Sequence, residues 1–348
     1  MQKILVIAPS WIGDTMLAQP MLARLMQRHP GAQIDVLAPL WTAAVLRQMP
    51  EVHNIIANPF PHGAMKWVAR YRLGRQLRAA HYDQAIVLPN SFKSALPAFF
   101  AGIPLRTGFV GEMRYGLLND ARKLNTAALP LMVERFAQLA EAPGQAIQRP
   151  IPQPELNVGA EQRQRVLEKL GLRNDQSVAI FCPGAEYGPA KRWPIPYFAG
   201  LAQQLREQGY AVWLLGSPKD KEIGDKIVAL GNHTSRNLCG ETDLADAIAL
   251  LSCADLVVSN DSGLMHLAAA LDRPMLALYG SSSPGFTPPL SANAHVIKLD
   301  LPCSPCFKRV CPLGHFNCMM QLTPNKVAQY LPNFSIESNH EKPAQRNF

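Results

Sequence analysis

The chain has 348 residues, 48% of them hydrophobic and 17% charged, which supplies enough apolar material for two domains with cores of their own. It contains no apolar run near the roughly 18 residues that span a bilayer, and its first ten residues are typical of a β-strand and not of a signal peptide, so we expect a cytoplasmic protein. The formal charge of +8 lies entirely in residues 1–125, which hold 14 Lys or Arg against 6 Asp or Glu. This distribution suits an anionic partner, with an unspecialised solvated surface as the alternative.

Short runs of branched apolar residues alternate with helical patterns along the first half of the chain. The predicted strands cover residues 3–8, 33–38, 53–57 and 84–88. The predicted helices between them cover residues 14–29, 41–48, 63–80 and 93–101. This alternation is typical of parallel βαβ units, whose apolar strands are buried on both faces.

The same alternation resumes after residues 142–157, which hold four prolines and no periodic pattern and therefore predict a linker. Further strands are predicted at 177–182, 211–216, 237–239, 256–260, 275–279 and 295–299. Further helices are predicted at 195–208, 219–230, 243–252, 263–271 and 324–331, and the polar residues 333–348 predict a flexible tail. We expect an α/β protein with two doubly wound, Rossmann-like domains, 1–158 and 159–332, facing each other across a cleft. Ligands of such folds bind just after the strands, where helix N-termini point.

Gly13 and Asp14 follow the first predicted strand, close to the start of the next helix. Asp14 is either a carboxylate that the helix dipole and helix capping favour, or a general base in the cleft. No G-x-G-x-x-G pattern occurs here, so the segment is poorly suited to binding a dinucleotide.

The loop at residues 183–194 follows the strand at 177–182 and contains two glycines and the pair Lys191 and Arg192. Such a loop can wrap around phosphates, with Lys191 as a point charge and backbone amides as donors. An ordinary βα loop with two solvated cations is the alternative.

Small residues also follow the strand at 256–260. Asp261, Ser262 and Gly263 precede a predicted helix, and His266 lies one turn into it. The small side chains would let the unpaired amides of the helix N-terminus approach a diphosphate. A capping role for Asp261 and a structural role for His266 are the alternatives.

These segments, in their order and spacing, resemble glycosyltransferase family 9. The resemblance rests on SWIGD at 10–14, GAEYGPAKRWP at 184–194 and NDSGLMH at 260–266. LPNSFKSA at 88–95, RTG at 106–108 and RYGLLN at 114–119 narrow it to the lipopolysaccharide heptosyltransferases of that family. The resemblance covers about residues 1–330.

The resemblance implies a GT-B fold with the acceptor bound by the N-terminal domain and the nucleotide by the C-terminal one. It implies ADP-heptose as donor and heptosylated Kdo2-lipid A as acceptor. L-glycero-D-manno-heptose would be transferred to the first heptose of the lipopolysaccharide inner core, with inversion and without a metal or other cofactor. Transfer of another heptose of the core is the nearest alternative.

The resemblance also assigns roles at the matching positions. Asp14 would take the proton from the attacking hydroxyl, and Lys191 would stabilise the leaving ADP. The expected donor-binding residues are Lys191, Asp261, Ser262, Gly263 and His266, with Thr242 at the nucleoside and Asp220 or Glu222 at the ribose.

The basic first third suits a phosphorylated, membrane-bound acceptor, so an anionic membrane surface is an expected partner and the protein is expected at the inner face of the inner membrane. Lys93, Arg106 and Arg114 are the candidate acceptor contacts. A second basic group is Lys66, Arg70, Arg72, Arg75 and Arg78. We expect this second group to form a solvated helix face, with a membrane-facing surface as the alternative.

Four cysteines fall in one stretch, Cys303, Cys306, Cys311 and Cys318, close to His315. Disulfides are not expected in a cytoplasmic protein. We expect reduced, packed thiols, with a structural zinc site as the alternative.

Two other classes of protein remain open at this stage. A nucleotide-sugar epimerase can share the GT-B architecture but has no use for a basic acceptor side. A basic nucleic-acid-binding protein is the non-enzymatic alternative. We expect no nucleic-acid partner because the chain has neither an aromatic-interleaved basic motif nor a recognised reading helix.

Overall fold

Two six-stranded parallel sheets form the framework of the computed structural model, which describes residues 1–61 and 63–331. The strands of the first sheet are β1 (Lys3–Ile7), β2 (Gln33–Ala38), β3 (Asn54–Ala57), β4 (Gln84–Val87), β5 (Leu105–Phe109) and β6 (Asp120–Arg122). Its helices are α1 (Ile12–Arg28), α2 (Ala43–Leu46), α3 (Trp67–Leu77), α4 (Phe92–Phe100) and α5 (Met132–Gln138). The predicted tail at 333–348 lies outside the described residues.

The second sheet repeats this organisation. Its strands are β7 (Val178–Cys182), β8 (Ala211–Leu214), β9 (Ser235–Asn237), β10 (Leu256–Asn260), β11 (Met275–Tyr279) and β12 (Ala294–Lys298). Its helices are α6 (Ala160–Leu170), α7 (Ile195–Glu207), α8 (Lys221–Leu230), α9 (Leu244–Leu251), α10 (Gly263–Ala270), α11 (Asn317–Met320) and α12 (Pro324–Ala328).

Both sheets have the doubly wound strand order. The first is β3-β2-β1-β4-β5-β6, and the second, β12-β11-β10-β7-β8-β9, has the same order counted from its own first strand. Side chains alternate across β1, so that Ile4 and Val6 join one apolar cluster while Leu5 and Ile7 join another on the opposite face. The prediction of two Rossmann-like α/β domains is therefore confirmed.

The predicted elements differ from the observed ones where the apolar signal is weak. The strand predicted at 237–239 is wrong by two residues, since β9 is the short polar segment Ser235–Asn237. Elements β5, β6, α5, α6 and α11 were not predicted; α6 buries only Val166 and Leu167. The helix predicted at 63–80 starts later, at Trp67, because Lys66 has a left-handed backbone with φ of 48° that a helix cannot include.

Residues 142–157 have no helix or strand, and they are hydrogen-bonded to both halves of the molecule. The side chain of Gln19 on α1 donates to the carbonyl of Glu155 at 3.0 Å and accepts from its amide at 2.9 Å. The amide of Leu156 donates to the carbonyl of Ala270 at the end of α10, at 2.9 Å. The exact domain boundary near residue 158 stays a prediction.

Candidate active site

The N-termini of α1 and α10 meet at the carboxyl ends of β1 and β10, so each half of the molecule contributes one side of a site. The helices approach closely because both carry glycine in the first turn. A Cβ on Gly13 would lie 2.7 Å from the Cδ2 atom of His266, and a Cβ on Gly263 would lie 3.0 Å from the Cβ of Ile12. Any side chain at either position would push the two helix ends apart.

Three charged side chains gather at this junction. The ammonium nitrogen of Lys191 lies 2.5 Å from a carboxylate oxygen of Asp261, and both side chains are largely buried. Asp14, on the first turn of α1, lies within electrostatic range of both. Burial raises the pKa of Asp14 to about 6; Lys191 acts in the opposite direction and Asp261 raises the pKa further. A carboxyl group with a pKa near 6 can serve as a general base near neutral pH.

His266 is buried against the N-terminus of α1 and is neutral at pH 7. Burial lowers the pKa of its imidazole to about 4, an effect that neighbouring Lys191 strengthens and Asp261 opposes. A neutral imidazole can donate or accept a hydrogen bond at a phosphate but supplies no positive charge. The positive charge at this junction therefore comes from Lys191 and from the α10 N-terminus.

The loop at residues 183–194 is held in place by Asn260, a fully buried residue at the end of β10. The Asn260 side chain accepts from the amide of Trp193 at 3.0 Å and donates to the carbonyl of Pro183 at 2.8 Å, so it joins the two ends of the loop. Gly188 is packed so closely that a Cβ there would lie 2.4 Å from the carbonyl oxygen of Arg309. Lys191 also lies over the ring of Tyr187, 5.2 Å from its centroid. These contacts fix the position of the Lys191 charge.

The expected donor-binding residues Ser262 and Gly263 lie at the start of α10. Ser262 is its N-cap residue, with an extended backbone and no side-chain capping bond to the helix, and Gly263 is the first helical residue. The first amides of α10 are among those that a helix cannot pair internally. They lie beside Asp261 and Lys191, as the sequence analysis expected.

The three expected nucleoside contacts have different environments. Asp220 is 8% exposed, and one of its carboxylate oxygens accepts from the amide and hydroxyl of Ser217 at 3.0 and 2.7 Å, so it caps a short turn. Glu222 is exposed on the first turn of α8 and pairs with Lys226 at 2.6 Å. Thr242 is partly exposed, directly before the N-cap of α9. The donor contacts of all three residues remain predictions.

The three candidate acceptor contacts differ in how deeply they are buried and in their hydrogen bonds. Arg114 is 1% exposed, and its guanidinium donates to the carbonyls of Phe109 and Pro89 and to the side chains of Asn90 and Ser94. These bonds shape the loop before α4 from inside, and the acceptor contact of Arg114 remains a prediction. Arg106 donates to the carbonyls of Leu117 and Ile103 at 2.7 and 2.5 Å and is partly exposed. Lys93 is partly exposed on the first turn of α4, and both remain predictions.

The four clustered cysteines are free thiols that are only partly buried. The pKa of the Cys318 thiol is raised by burial and then by the nearby thiols of Cys306, Cys303 and Cys311. Within residues 1–61 and 63–331, no group of three or more His, Cys, Asp or Glu side chains is placed to hold a metal ion. The zinc alternative gains no support from this arrangement.

Several residues that shape the site were not predicted from the sequence. Asn260 was noted only as part of a motif, and the role of segment 303–309 in closing the loop at 183–194 was not expected. The hydroxyl of Tyr187 donates to the carbonyl of Phe307 at 2.8 Å, and Ala190 donates its amide to the carbonyl of Arg309 at 3.0 Å. No local sequence signal predicts contacts between residues more than 100 positions apart.

Known proteins resemble this chain over nearly its whole length. A family model described as glycosyltransferase family 9 (heptosyltransferase) matches residues 70–317. The lipopolysaccharide heptosyltransferase 2 of Escherichia coli K12 is 48% identical over 338 residues, covering 94% of this chain and 97% of that protein. The protein of the same name from Salmonella typhimurium LT2 is 49% identical over 344 residues, covering 96% and 99%.

Solved structures agree with these matches. The structure of E. coli ADP-heptose lps heptosyltransferase II has a TM-score of 0.85 at 46% identity, covering 94% of this chain and 97% of that one. E. coli heptosyltransferase WaaC, solved with ADP, has a TM-score of 0.71 at 24% identity and shows the shared fold alone. The expected GT-B fold is thus confirmed, and the protein is an enzyme: the chain belongs to glycosyltransferase family 9, the heptosyltransferase family.

Proposed function

We propose that this enzyme transfers L-glycero-D-manno-heptose from ADP-heptose to the first heptose of the lipopolysaccharide inner core, with heptosylated Kdo2-lipid A as the acceptor. The observation that carries the proposal is the meeting of Asp14 on α1 with Lys191, Asp261 and His266 at the N-terminus of α10. The names of the relatives, lipopolysaccharide heptosyltransferase 2, indicate heptose as the transferred sugar and lipopolysaccharide as the class of acceptor.

The reaction is a single displacement at the anomeric carbon. Asp14 takes the proton of the acceptor hydroxyl, the resulting oxygen attacks the anomeric carbon, and the bond from that carbon to the ADP oxygen breaks. Attack opposite the leaving group inverts the anomeric configuration. The raised pKa of Asp14 suits it to this role, because a general base works best when its pKa lies near the working pH.

The departing ADP carries the developing negative charge. Lys191 and the N-terminal amides of α10 can stabilise this charge, since both are fixed in position before the reaction starts. Asp261 holds the ammonium of Lys191 at 2.5 Å. A bound diphosphate would share that ammonium. We propose that the chain itself supplies the positive charge and that transfer is metal-independent.

The acceptor is a lipid, so we propose that the enzyme works at the inner face of the bacterial inner membrane. No helix among residues 1–61 and 63–331 is long and apolar enough to cross a membrane. On this proposal the enzyme associates with the membrane through its surface. The basic N-terminal third, with Lys93 and Arg106 partly exposed, is the side expected to receive the phosphorylated acceptor.

The assay uses purified protein, ADP-heptose and lipopolysaccharide acceptors that carry zero, one or two heptoses. We expect ADP release and a mass increase of one heptose with the one-heptose acceptor alone. The variant Asp14→Asn should lose transfer, whereas Asp175→Asn, at an exposed site after α6, should keep it. Transfer to a different acceptor would move the enzyme to another step of the core. Conversion of the donor without an acceptor would favour an epimerase.

Two further measurements test the mechanism. The anomeric configuration of the product, read by NMR, should be opposite to that of the donor. Transfer should persist after treatment with EDTA. A retained configuration, or a loss of activity that added Mg²⁺ restores, would contradict the corresponding part of the proposal.

A further inference from the structure

Helix α3 and the adjacent end of α4 present an unusual outer surface, which we call the α3 surface: Lys66, Trp67, Tyr71, Arg72, Arg75 and Phe99. Its three aromatic side chains are 51%, 48% and 41% exposed for Trp67, Tyr71 and Phe99. Val68, beside them, is 62% exposed. Single exposed apolar residues are common, but a contiguous group of large ones on one helix face marks an interaction site.

The α3 surface is built on a rigid support. Gly74 lets α3 lie directly on α4, because a Cβ there would be 2.5 Å from the Cβ of Phe100. Arg70, on the inner face of α3, is 5% exposed and donates to the carbonyls of Met65, Ala64 and Lys93 at 2.6, 3.1 and 3.1 Å. Arg70 therefore does not belong to the exposed basic group in which the sequence analysis placed it.

The aromatic rings are held by contacts with α4. Trp67 packs edge-on against Phe92 with ring centroids 5.8 Å apart, and Tyr71 packs against Phe100 at 5.3 Å. Phe99 lies against Phe100 at 5.6 Å. Because these contacts fix the side chains, the α3 surface loses little conformational freedom on binding a partner.

The charge around the α3 surface is almost entirely positive. Residues 58–106 contain seven Lys or Arg and a single acid, Asp83, whose carboxylate accepts from the amide of Lys3. In the part of the chain that the structure describes, Lys66, Arg72 and Arg75 form no ion pair. Cations without partners are therefore mixed with exposed aromatic rings over a single face.

We propose that the α3 surface docks the enzyme on an anionic lipid bilayer. Trp and Tyr have an apolar body and a polar tip and favour the boundary between water and lipid. Lys and Arg beside them are attracted to anionic headgroups, and their long alkyl stems can lie along the apolar phase. A protein partner would need both an apolar and a strongly acidic face, whereas an anionic bilayer supplies both properties everywhere.

The position of the α3 surface agrees with that of the acceptor side. Arg70 joins the first turn of α3 to Lys93 on the first turn of α4, which follows the carboxyl end of β4. The α3 surface therefore extends to the sheet edge where the acceptor is expected. The inference rests on the proposed function only in taking the acceptor to be a lipid.

The test is sedimentation of the full-length protein with phosphatidylcholine vesicles, with and without phosphatidylglycerol. We expect binding to the anionic vesicles alone, weakened by added salt. Trp67→Ser/Tyr71→Ser and Arg72→Gln/Arg75→Gln should each reduce the vesicle partition constant at least about tenfold, the equivalent of about 1.4 kcal/mol. The matched controls are Leu230→Ser/Tyr330→Ser and Arg165→Gln/Arg173→Gln, which change exposed residues of the second half and should bind as the unmodified protein does.

Transfer assays separate this inference from the proposed function. With a water-soluble, deacylated acceptor, all variants should transfer heptose at the unmodified rate, and with an acceptor embedded in anionic vesicles the two α3 variants should be slow. Unmodified protein that transfers heptose but does not bind anionic vesicles would overturn the docking inference. Self-association that the α3 variants abolish, without vesicle binding, would do the same and assign the surface to a second copy of the chain. Vesicle binding without any transfer would support docking and contradict the proposed function.

Discussion

Asp14 experiences two opposing influences. Its position on the first turn of α1 favours the ionised form through the helix dipole, and so does the nearby Lys191. Burial has the larger effect and raises the pKa to about 6. The side chain is therefore ionised at pH 7 but retains a high affinity for a proton, which a general base requires.

The pH dependence of the reaction should follow this value. We expect kcat/KM to rise with pH through about 6 and then to level off, because Asp14 must lose its proton before it can accept one from the acceptor. Asp14→Asn should lower kcat by a factor of about 10²–10⁴ and remove the inflection. A profile with an inflection near 6 that survives in Asp14→Asn would assign the titration to another group.

The raised pKa of Asp14 also means that its ionised form lowers the free energy of unfolding at neutral pH. In the unfolded chain its pKa is about 4, so between about pH 4 and 6 the folded state binds more protons, and the free energy of unfolding falls as pH rises through that window. Asp14→Asn should therefore raise the free energy of unfolding at pH 7 by about 3 kcal/mol and change it little at pH 4. Urea unfolding at both pH values measures this difference, with Asp175→Asn as the control. Equal effects at the two pH values would contradict the reasoning.

The junction of α1 and α10 depends on the absence of side chains at Gly13 and Gly263. Gly13→Ala would place a Cβ 2.7 Å from the buried ring of His266, so one of the two helix ends must move. We expect a loss of about 1–3 kcal/mol in the free energy of unfolding and a fall in kcat, since Asp14 is the next residue. Gly200→Ala, inside α7, is the control, because the nearest atom to a Cβ there, in Pro324, is 4.0 Å away. Recovery of stability in the double variant Gly13→Ala/His266→Ala would confirm that the ring is the obstacle.

Asn260 acts on the whole loop at residues 183–194. Asn260→Ala would leave the amide of Trp193 and the carbonyl of Pro183 buried without their partner, at a cost of about 1–3 kcal/mol each at most. The loop carries Lys191, so we also expect weaker binding of ADP, measured by calorimetry. Asn293→Ala, at an exposed site, should leave both quantities unchanged. Unchanged ADP affinity in Asn260→Ala would show that the loop keeps its shape without this residue.

Elements were predicted well where burial dictates their composition. The strands predicted at 33–38, 256–260 and 275–279 coincide with β2, β10 and β11. Strands β10 and β11 are buried along their whole length, as expected for strands in the middle of a parallel sheet. Helix α6 and strand β6 lie at the periphery and bury little, so their composition carries a weak signal. The position of the candidate site was predicted from the rule that ligands bind after the strands of such folds. This rule needs only the positions of the strands in the sequence and no knowledge of contacts between distant residues.

What could not be predicted depends on long-range contacts. A cluster of arginines in a sequence gives no indication of which members are buried. Arg114 and Arg70 donate to carbonyls that loops bring together from distant positions, and only the folded chain reveals this. The sequence likewise contains no sign that Asp220, expected at the ribose, would cap a turn by accepting from the amide and hydroxyl of Ser217.

At the scale of the whole molecule, a buried ionic group fastens the first domain to the residues that leave it. Glu141 pairs with Arg24 and, at 2.8 Å, with Arg28, both on α1, and Arg24 also donates to the carbonyls of Gln148 and Pro150. The Arg24 and Glu141 side chains are 7% and 5% exposed. The start of the 142–157 segment is thereby fixed to the helix that carries Asp14.

Removing one charge of this group should therefore affect stability more than a surface change does. We expect Glu141→Gln to lower the free energy of unfolding by about 3 kcal/mol, because it leaves the Arg24 charge buried without a counter-charge. Glu161→Gln, at an exposed site of α6, should change it by less than about 0.5 kcal/mol. Urea unfolding monitored by circular dichroism measures both. A loss below 1 kcal/mol for Glu141→Gln would mean that water reaches the Arg24 guanidinium.

The junction of α1 and α10 has a consequence for hydrolysis of the bound donor by water. On the proposed mechanism, the group that activates the nucleophile belongs to one half of the molecule, and the groups that stabilise the leaving diphosphate belong to the other. If the halves separate, a sugar nucleotide held by the second half has no base beside it, and water in the open cleft is not activated to attack it. The division of the reacting groups would thus spare an expensive metabolite from wasteful hydrolysis until an acceptor is in place.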